Sequence, residues 1–244
     1  MAKIIILGAM KGGVGKSVSV FNLAYSLAEL GKKVLAVDFD SQANLTTCMG
    51  VEDVAAVPVT IGHLMMNQIE EEEQPEPEEY IMSRNGVDFI PSSMVLSAVD
   101  AKLRMEMGAE RMLANILEPL CDRYDYIIVD TCPSLGALTI NALAAADEVI
   151  IAANPQLLAM MGLQDFLKSV RKIKNRINPK LEVAGILLTM CEARITDYPT
   201  EGNCVIFHKH KASHPYHLHG RAGTLPQAVR NIKKHDKWQM GRGR

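Results

Sequence analysis

Two cations, three glycines and a hydroxyl fall within seven residues, Lys11–Gly12–Gly13–Val14–Gly15–Lys16–Ser17. The glycines let backbone N–H groups turn toward one point without a Cβ in the way. A helix starting at that point adds partial positive charge. Lys16 is placed to reach the β- and γ-phosphates of a nucleotide, and the Ser17 hydroxyl can hold Mg²⁺. The strict phosphate-loop pattern asks for glycine at position 10, where this chain has Met10. Lys11 is a second cation beside the phosphates. Pointed away from its own nucleotide, it can serve the phosphate of a neighbouring subunit, as an arginine finger does.

Three carboxylates complete the chemistry. Asp38 and Asp40 close one apolar run, and Asp130 closes another that follows Tyr124–Asp125–Tyr126. Magnesium takes few protein ligands and keeps several waters, so one strand-end acid beside Ser17 suffices, and Asp130 fits that place. Phosphoryl transfer needs positioning more than covalent help, so an acid near the attacking water is expected as well. Asp38 is read as support for the adjoining loop or the metal's water shell.

Such groups must be held by a rigid frame. The spacing predicts strands at 3–9, 33–38, 87–90, 126–130, 148–152 and 183–188. Helices are expected at 17–30, 98–121, 135–145 and 163–175, the first stopped by Gly31. Alternation of the two implies an α/β chain with a mostly parallel twisted sheet covered by helices on both faces. Ligands of such sheets bind beyond the carboxyl ends of the strands, where the unusual residues fall.

Met-Lys-Gly-Gly-Val-Gly-Lys-Ser, at 10–17, resembles the deviant Walker A motif of the ParA/MinD/Soj ATPases. Val37-Asp-Phe-Asp-Ser-Gln-Ala-Asn-Leu-Thr46, Tyr124-Asp-Tyr-Ile-Ile-Val-Asp-Thr-Cys-Pro-Ser134 and Leu188-Thr-Met-Cys-Glu-Ala-Arg194 extend the likeness toward its ParA/Soj partitioning branch. The likeness covers about residues 1–194. It implies a P-loop NTPase fold and an ATPase that uses ATP and Mg²⁺, with the loop from Lys11 through Gly12, Gly13, Val14, Gly15, Lys16 and Ser17 to Val18 on the phosphates. It gives Asp130 the Walker B position, and Asp40 the task of orienting water. It further implies an ATP-dependent sandwich homodimer in which Lys11 touches the partner's nucleotide, and non-specific DNA binding with Arg194 as the matching contact. A basic, ParB-like protein would stimulate slow hydrolysis, and the setting would be the cytoplasm and its nucleoid. Ser134 stands where that family usually has a second proline; Gly136 lies in its second switch region. Asn154–Pro155–Gln156 and Gly162–Leu163 resemble a segment near its dimer face.

Other readings stay open on the sequence. A MinD-like membrane cycle needs a C-terminal amphipathic helix, and 229–244 has little apolar content. A regulator that binds nucleotide without hydrolysing it depends on the tail. Lys168, Arg171, Lys172, Lys174 and Arg176 make a basic helix end, either a DNA contact or a solvated face. Cys132 is a packed thiol or, less in keeping with its lone context, a cluster ligand.

Composition sets the outer limits. The 244 residues are 48% hydrophobic and 22% charged, a globular balance that excludes wholesale disorder. The apolar runs are too short to span a bilayer, and the start has no secretory pattern. Five scattered cysteines suit a reducing compartment. The stretch 70–79, Glu-rich with two prolines, reads as an exposed acidic loop, or a docking site for a basic partner. Residues 195–244 differ in kind. They hold nine Lys/Arg against three Asp/Glu and six of the seven histidines, and the family-like ending is not recognisable. A frameshifted end, a His-rich metal-binding tail and a basic disordered tail are the three readings.

Overall fold

A computed structural model describes residues 1–106, 108–154, 157–190 and 205–208. Its strands are β1 (Lys3–Gly8), β2 (Val34–Phe39), β3 (Met82–Arg84), β4 (Val87–Ile90), β5 (Tyr126–Thr131), β6 (Glu148–Ala153), β7 (Glu182–Leu188) and β8 (Val205–His208). They join in one sheet of order β3-β4-β2-β5-β1-β6-β7-β8. All neighbours are parallel except the two edge pairs, β3 with β4 and β7 with β8.

The helices are α1 (Lys16–Glu29), α2 (Asn44–Cys48), α3 (Ile61–Glu70), α4 (Pro77–Tyr80), α5 (Val95–Leu103), α6 (Met112–Leu117), α7 (Ala137–Ala145) and α8 (Leu157–Arg176). The period of two along a strand divides the apolar residues between the sheet faces. Ile5 and Leu7 of β1 join Val20, Leu23 and Leu27 of α1 in one core cluster. Ile4 and Ile6 join Leu64, Leu96, Leu113, Leu138 and Phe166 in the other. Each fully buried side chain of this kind contributes about 1.5–3 kcal/mol. The centre of the sheet is therefore anchored on both faces, and the loops at its carboxyl edge rest on a fixed floor.

Two expectations need correction. The single helix expected at 98–121 is two short helices, α5 and α6, separated by residues 104–111 with Gly108 in a left-handed conformation (φ 73°). Pro119 then limits α6, and a 3-10 turn follows at Glu118–Leu120. The acidic stretch at 70–79 is not all loop either. Glu70 ends α3, and Pro77 opens α4 from the first-turn position that proline tolerates. Glu79 turns back to accept from the Glu76 N–H at 2.9 Å. Of the tail, only β8 falls within the described residues; it pairs antiparallel with β7, Val205 opposite Leu188.

Candidate functional site

The parallel registers assemble the site. Leu7 of β1 pairs with Asp130 of β5, and Asp38 of β2 pairs with Asp130 from the other side. Paired residues on adjacent strands share a face, so two carboxylates lie side by side at the carboxyl edge. The chain leaves β1 directly above them and re-enters helix at Lys16.

In that connection Gly13 and Gly15 both have φ of 72°, a conformation glycine adopts without strain. No atom lies within 4 Å of where a Cβ would sit on either, so the loop is open toward its mouth. Lys11, Gly12 and Gly13 are exposed, whereas Val14 and Lys16 are buried. Two hydroxyls fix the loop from below. Ser19 donates to the Gly15 carbonyl at 2.7 Å, and Thr189, just past β7, donates to the Val14 carbonyl at 2.8 Å. Met10, the departure from the strict glycine pattern, has room because α8 has Gly162 opposite. A Cβ on Gly162 would come within 2.9 Å of the Met10 Cβ.

Lys16 turns its ammonium down to Asp130, with Nζ to Oδ1 at 2.8 Å and both side chains buried. Asp130 Oδ2 is buried with no hydrogen-bond partner. Burial pushes the Asp130 carboxyl up; Lys16 and the Ser17 hydroxyl both pull it down, and Asp40 adds repulsion that raises it. An unpaired buried carboxylate oxygen is costly, and a cation or its water is the natural partner. The donor set, one hydroxyl and one carboxylate at the mouth of a glycine loop, fits magnesium.

Asp40 follows the end of β2 and is 4% exposed. Its Oδ1 accepts from the Gln42 N–H at 3.0 Å, which holds the carboxyl in a tight turn. Asp38 is tied elsewhere. Its Oδ2 accepts from the Thr46 N–H at 2.7 Å and the Thr46 hydroxyl at 2.6 Å, and its Oδ1 accepts from the Asp40 N–H at 3.3 Å. Thr46 Oγ1 in turn accepts from the Ser92 N–H at 2.9 Å. This carboxyl therefore organises the loop after β2, and three of its bonding positions are already used.

Burial and the neighbouring Asp130 raise the Asp38 carboxyl from an ordinary 3.8 to about 7, against the pull of its bonds from Thr46 and Asp40. A folded-state value above the unfolded one means that the native chain holds the extra proton. Stability then falls as pH rises from about 4 to 7 and levels off above that, with a total on the order of a few kcal/mol. An Asp38→Asn variant, melted in EDTA without nucleotide, should gain stability over the parent at pH 8. The gain should vanish near pH 4. Equal differences at both pH values would contradict the assignment.

Beyond Asp130, Thr131 donates to the Leu7 carbonyl at 2.8 Å and locks the two strand ends together. Cys132 Sγ lies 3.3 Å from Ser134 Oγ and 3.6 Å from Thr139 Oγ1. Asn154, at the end of β6, is 8% exposed and its Oδ1 is unpaired. Val18 is 55% exposed at the start of α1. Of the basic helix end, Lys168 pairs with Asp165 and Lys174 with Glu182; Lys168, Arg171, Lys172 and Arg176 are all exposed to solvent. Arg194, Pro155 and Gln156 lie outside the described residues. The structure thus brings Lys16, Ser17, Asp38, Asp40 and Asp130 to one strand-edge site under the glycine loop. Thr189 and Thr46 belong to it too. Sequence alone gave no role to either, because each acts through a contact with a distant strand or loop.

The chain belongs to the family described as an AAA domain, whose model matches residues 2–183. Within that class it is similar to partitioning proteins. It is 37% identical over 194 residues to the sporulation initiation inhibitor protein Soj of Bacillus subtilis, covering 80% of this chain and 75% of Soj. It is 36% identical over 194 residues to the chromosome partitioning protein ParA of Myxococcus xanthus, covering 80% and 67%. An uncharacterized Mycobacterium tuberculosis protein, Rv1708, is 39% identical over 194 residues, and the chain spans 59% of its length. Among solved structures, cobyrinic acid a,c-diamide synthase from Mycobacterium smegmatis, with bound ATP analogue and magnesium, superposes with a TM-score of 0.74. It is 31% identical, over 80% of this chain and 78% of that one. A plasmid partition protein from Borrelia burgdorferi gives a TM-score of 0.64 at 29% identity, over 78% and 80%.

Proposed function

We propose that this chain is a Mg·ATP-dependent partitioning ATPase. The observation that carries the reading is the buried Lys16–Asp130 pair with its spare carboxylate oxygen, set beneath an open glycine loop. Backbone N–H groups from Gly12 to Val18 would bind the phosphates, with Lys16 on the β- and γ-oxygens. To do so Lys16 must exchange the Asp130 carboxylate for phosphate oxygens, which frees Asp130 for the cation. Ser17 and Asp130 would hold Mg²⁺, which when bound neutralises charge on the phosphate oxygens. Asp40, held in its turn by the Gln42 amide, would orient the attacking water. Lys11 would act on the nucleotide of a second copy. Its exposure on the loop suits that role.

We read the ATP state as a homodimer that binds DNA without sequence preference through basic residues, Arg194 and the exposed end of α8 among them. A basic, ParB-like partner would speed hydrolysis and end that state. The setting we assign is the cytoplasm and its nucleoid, with residues 1–194 as the ATPase unit and 195–244 as an atypical basic, His-rich tail whose β8 extends the sheet. Phosphate release tests this reading. It should be slow, need Mg²⁺ and rise with a ParB-type partner. DNA cosedimentation should require ATP and weaken steeply between 50 and about 200 mM salt. ATP binding without any phosphate release would instead mark a nucleotide-bound regulator.

A further inference from the structure

Helix α7, which follows the loop after Asp130, begins with a gap. Its N-cap residue is Gly136, which has no side chain to accept from the first-turn N–H groups, and that turn holds no acid. The acceptor comes from another helix. Asp100 of α5 takes the Leu138 N–H on Oδ1 at 3.3 Å. Its Oδ2 is held by Arg104 at 2.5 Å, one turn further along α5. Glycine at 136 leaves this approach uncrowded: a Cβ there would lie 3.2 Å from Asp100 Oδ1, and the carboxylate would have to give by a few tenths of an ångström.

Helix α5 is also tied at its start to the acids of β2. Thr46, bound to Asp38, takes the Ser92 N–H, and the loop from Ser92 leads into α5 at Val95. A continuous series therefore runs from Asp38 through Thr46, Ser92 and α5 to Asp100 and the start of α7. On its open side the 134–137 segment faces a cavity of about 640 Å³ lined by Leu103, Arg104, Leu135 and Ile140, so the segment has room to shift.

We propose that Asp100 is a positioning residue for hydrolysis. It caps α7 from outside, and so holds the 132–136 loop in step with the loop carrying Asp38 and Asp40. This rests on the ATPase reading above. In this proposal Asp100 acts through the Leu138 amide, with no direct contact to nucleotide or metal assigned to it.

The test uses the full chain with Asp100→Ala, Asp100→Asn and Gly136→Ala. Asn keeps an acceptor oxygen for Leu138; the Gly136→Ala methyl would press on the same carboxylate oxygen. Three quantities are read: phosphate release, affinity for a non-hydrolysable ATP analogue with Mg²⁺, and amide exchange of α7's first turn without nucleotide. Asp100→Ala and Gly136→Ala should each lower kcat at least about fivefold and speed first-turn exchange about tenfold, the scale of a lost cap. Analogue affinity should stay within about twofold, since the phosphate loop is untouched. Asp100→Asn should recover both kcat and slow exchange.

Parental kcat in Asp100→Ala would overturn the proposal. So would an equal loss of analogue affinity, or failure of Asn to rescue. Should Asp100→Ala prove too unstable to assay, Gly136→Ala and Asp100→Asn decide between the same outcomes. Exchange needs no turnover, so a parent chain that never hydrolyses ATP would defeat the ATPase reading while the cap contact is still read separately.

Discussion

A Lys16→Ala chain should lose Mg·ATP by roughly 30- to 1000-fold, the equivalent of about 2–4 kcal/mol for a buried, charge-assisted contact. The side chain is 6% exposed and pairs with Asp130, so the contacts it makes are desolvated. Removing it also strips Asp130 of its cation. Burial already pushes that carboxyl upward, so Asp130 should take a proton more readily in the variant. The loss of nucleotide should therefore persist even with excess Mg²⁺, because both ends of the pair are spoiled. Titration calorimetry of parent and variant reads the effect. Unchanged affinity would refute the phosphate-loop assignment outright.

An Asp40→Ala chain should behave in the opposite way. Binding should survive within a few-fold, while phosphate release falls by about 100-fold or more, the scale of losing a group that positions the nucleophile. The structure supports the separation. Asp40 bonds only to the Gln42 amide among its described side-chain contacts, whereas Asp38 carries the Thr46 network. Truncating Asp40 thus leaves the β2 loop anchored, and truncating Asp38 does not. Asp40→Asn is a milder control that keeps the turn and removes the charge. Parental turnover in Asp40→Ala would transfer the water-orienting role elsewhere.

The site was largely legible because its residues are local in sequence. Seven adjacent residues make the loop, and the two acidic strand ends announce themselves by breaking apolar runs. What sequence could not give is whatever depends on chain crossing. Asp38 and Asp130 lie side by side only because β2 and β5 pair in register; burial and that neighbour together raise the Asp38 carboxyl. Thr189 reaches Val14 across 175 positions. Met10 looked like a departure from the phosphate-loop pattern; its compensation, Gly162, lies on a different helix.

The misses in the fold have local causes. Ile61, Leu64, Met65 and Ile69 carry the helical spacing of α3, yet its start lacks the usual Glu or Gln cap partner. His63 Nδ1 accepts from the Thr60 N–H instead, at 3.1 Å. Within the helix expected across 98–121, Gly108 adopts a left-handed conformation that breaks the run between α5 and α6. β3 is a three-residue edge strand with every residue exposed, too short and too polar for a period of two to register.

If the chain switches with its nucleotide, the solution mass of an Asp40→Ala chain by light scattering will show it. Hydrolysis should be slowed about 100-fold or more in that variant, so the ATP state should accumulate. With Mg·ATP the mass should double from the 26.8 kDa of one chain, and with Mg·ADP it should return to the single-chain value. A single-chain mass with both nucleotides, while nucleotide still binds, would contradict the account and leave a nucleotide-binding chain without a dimer cycle.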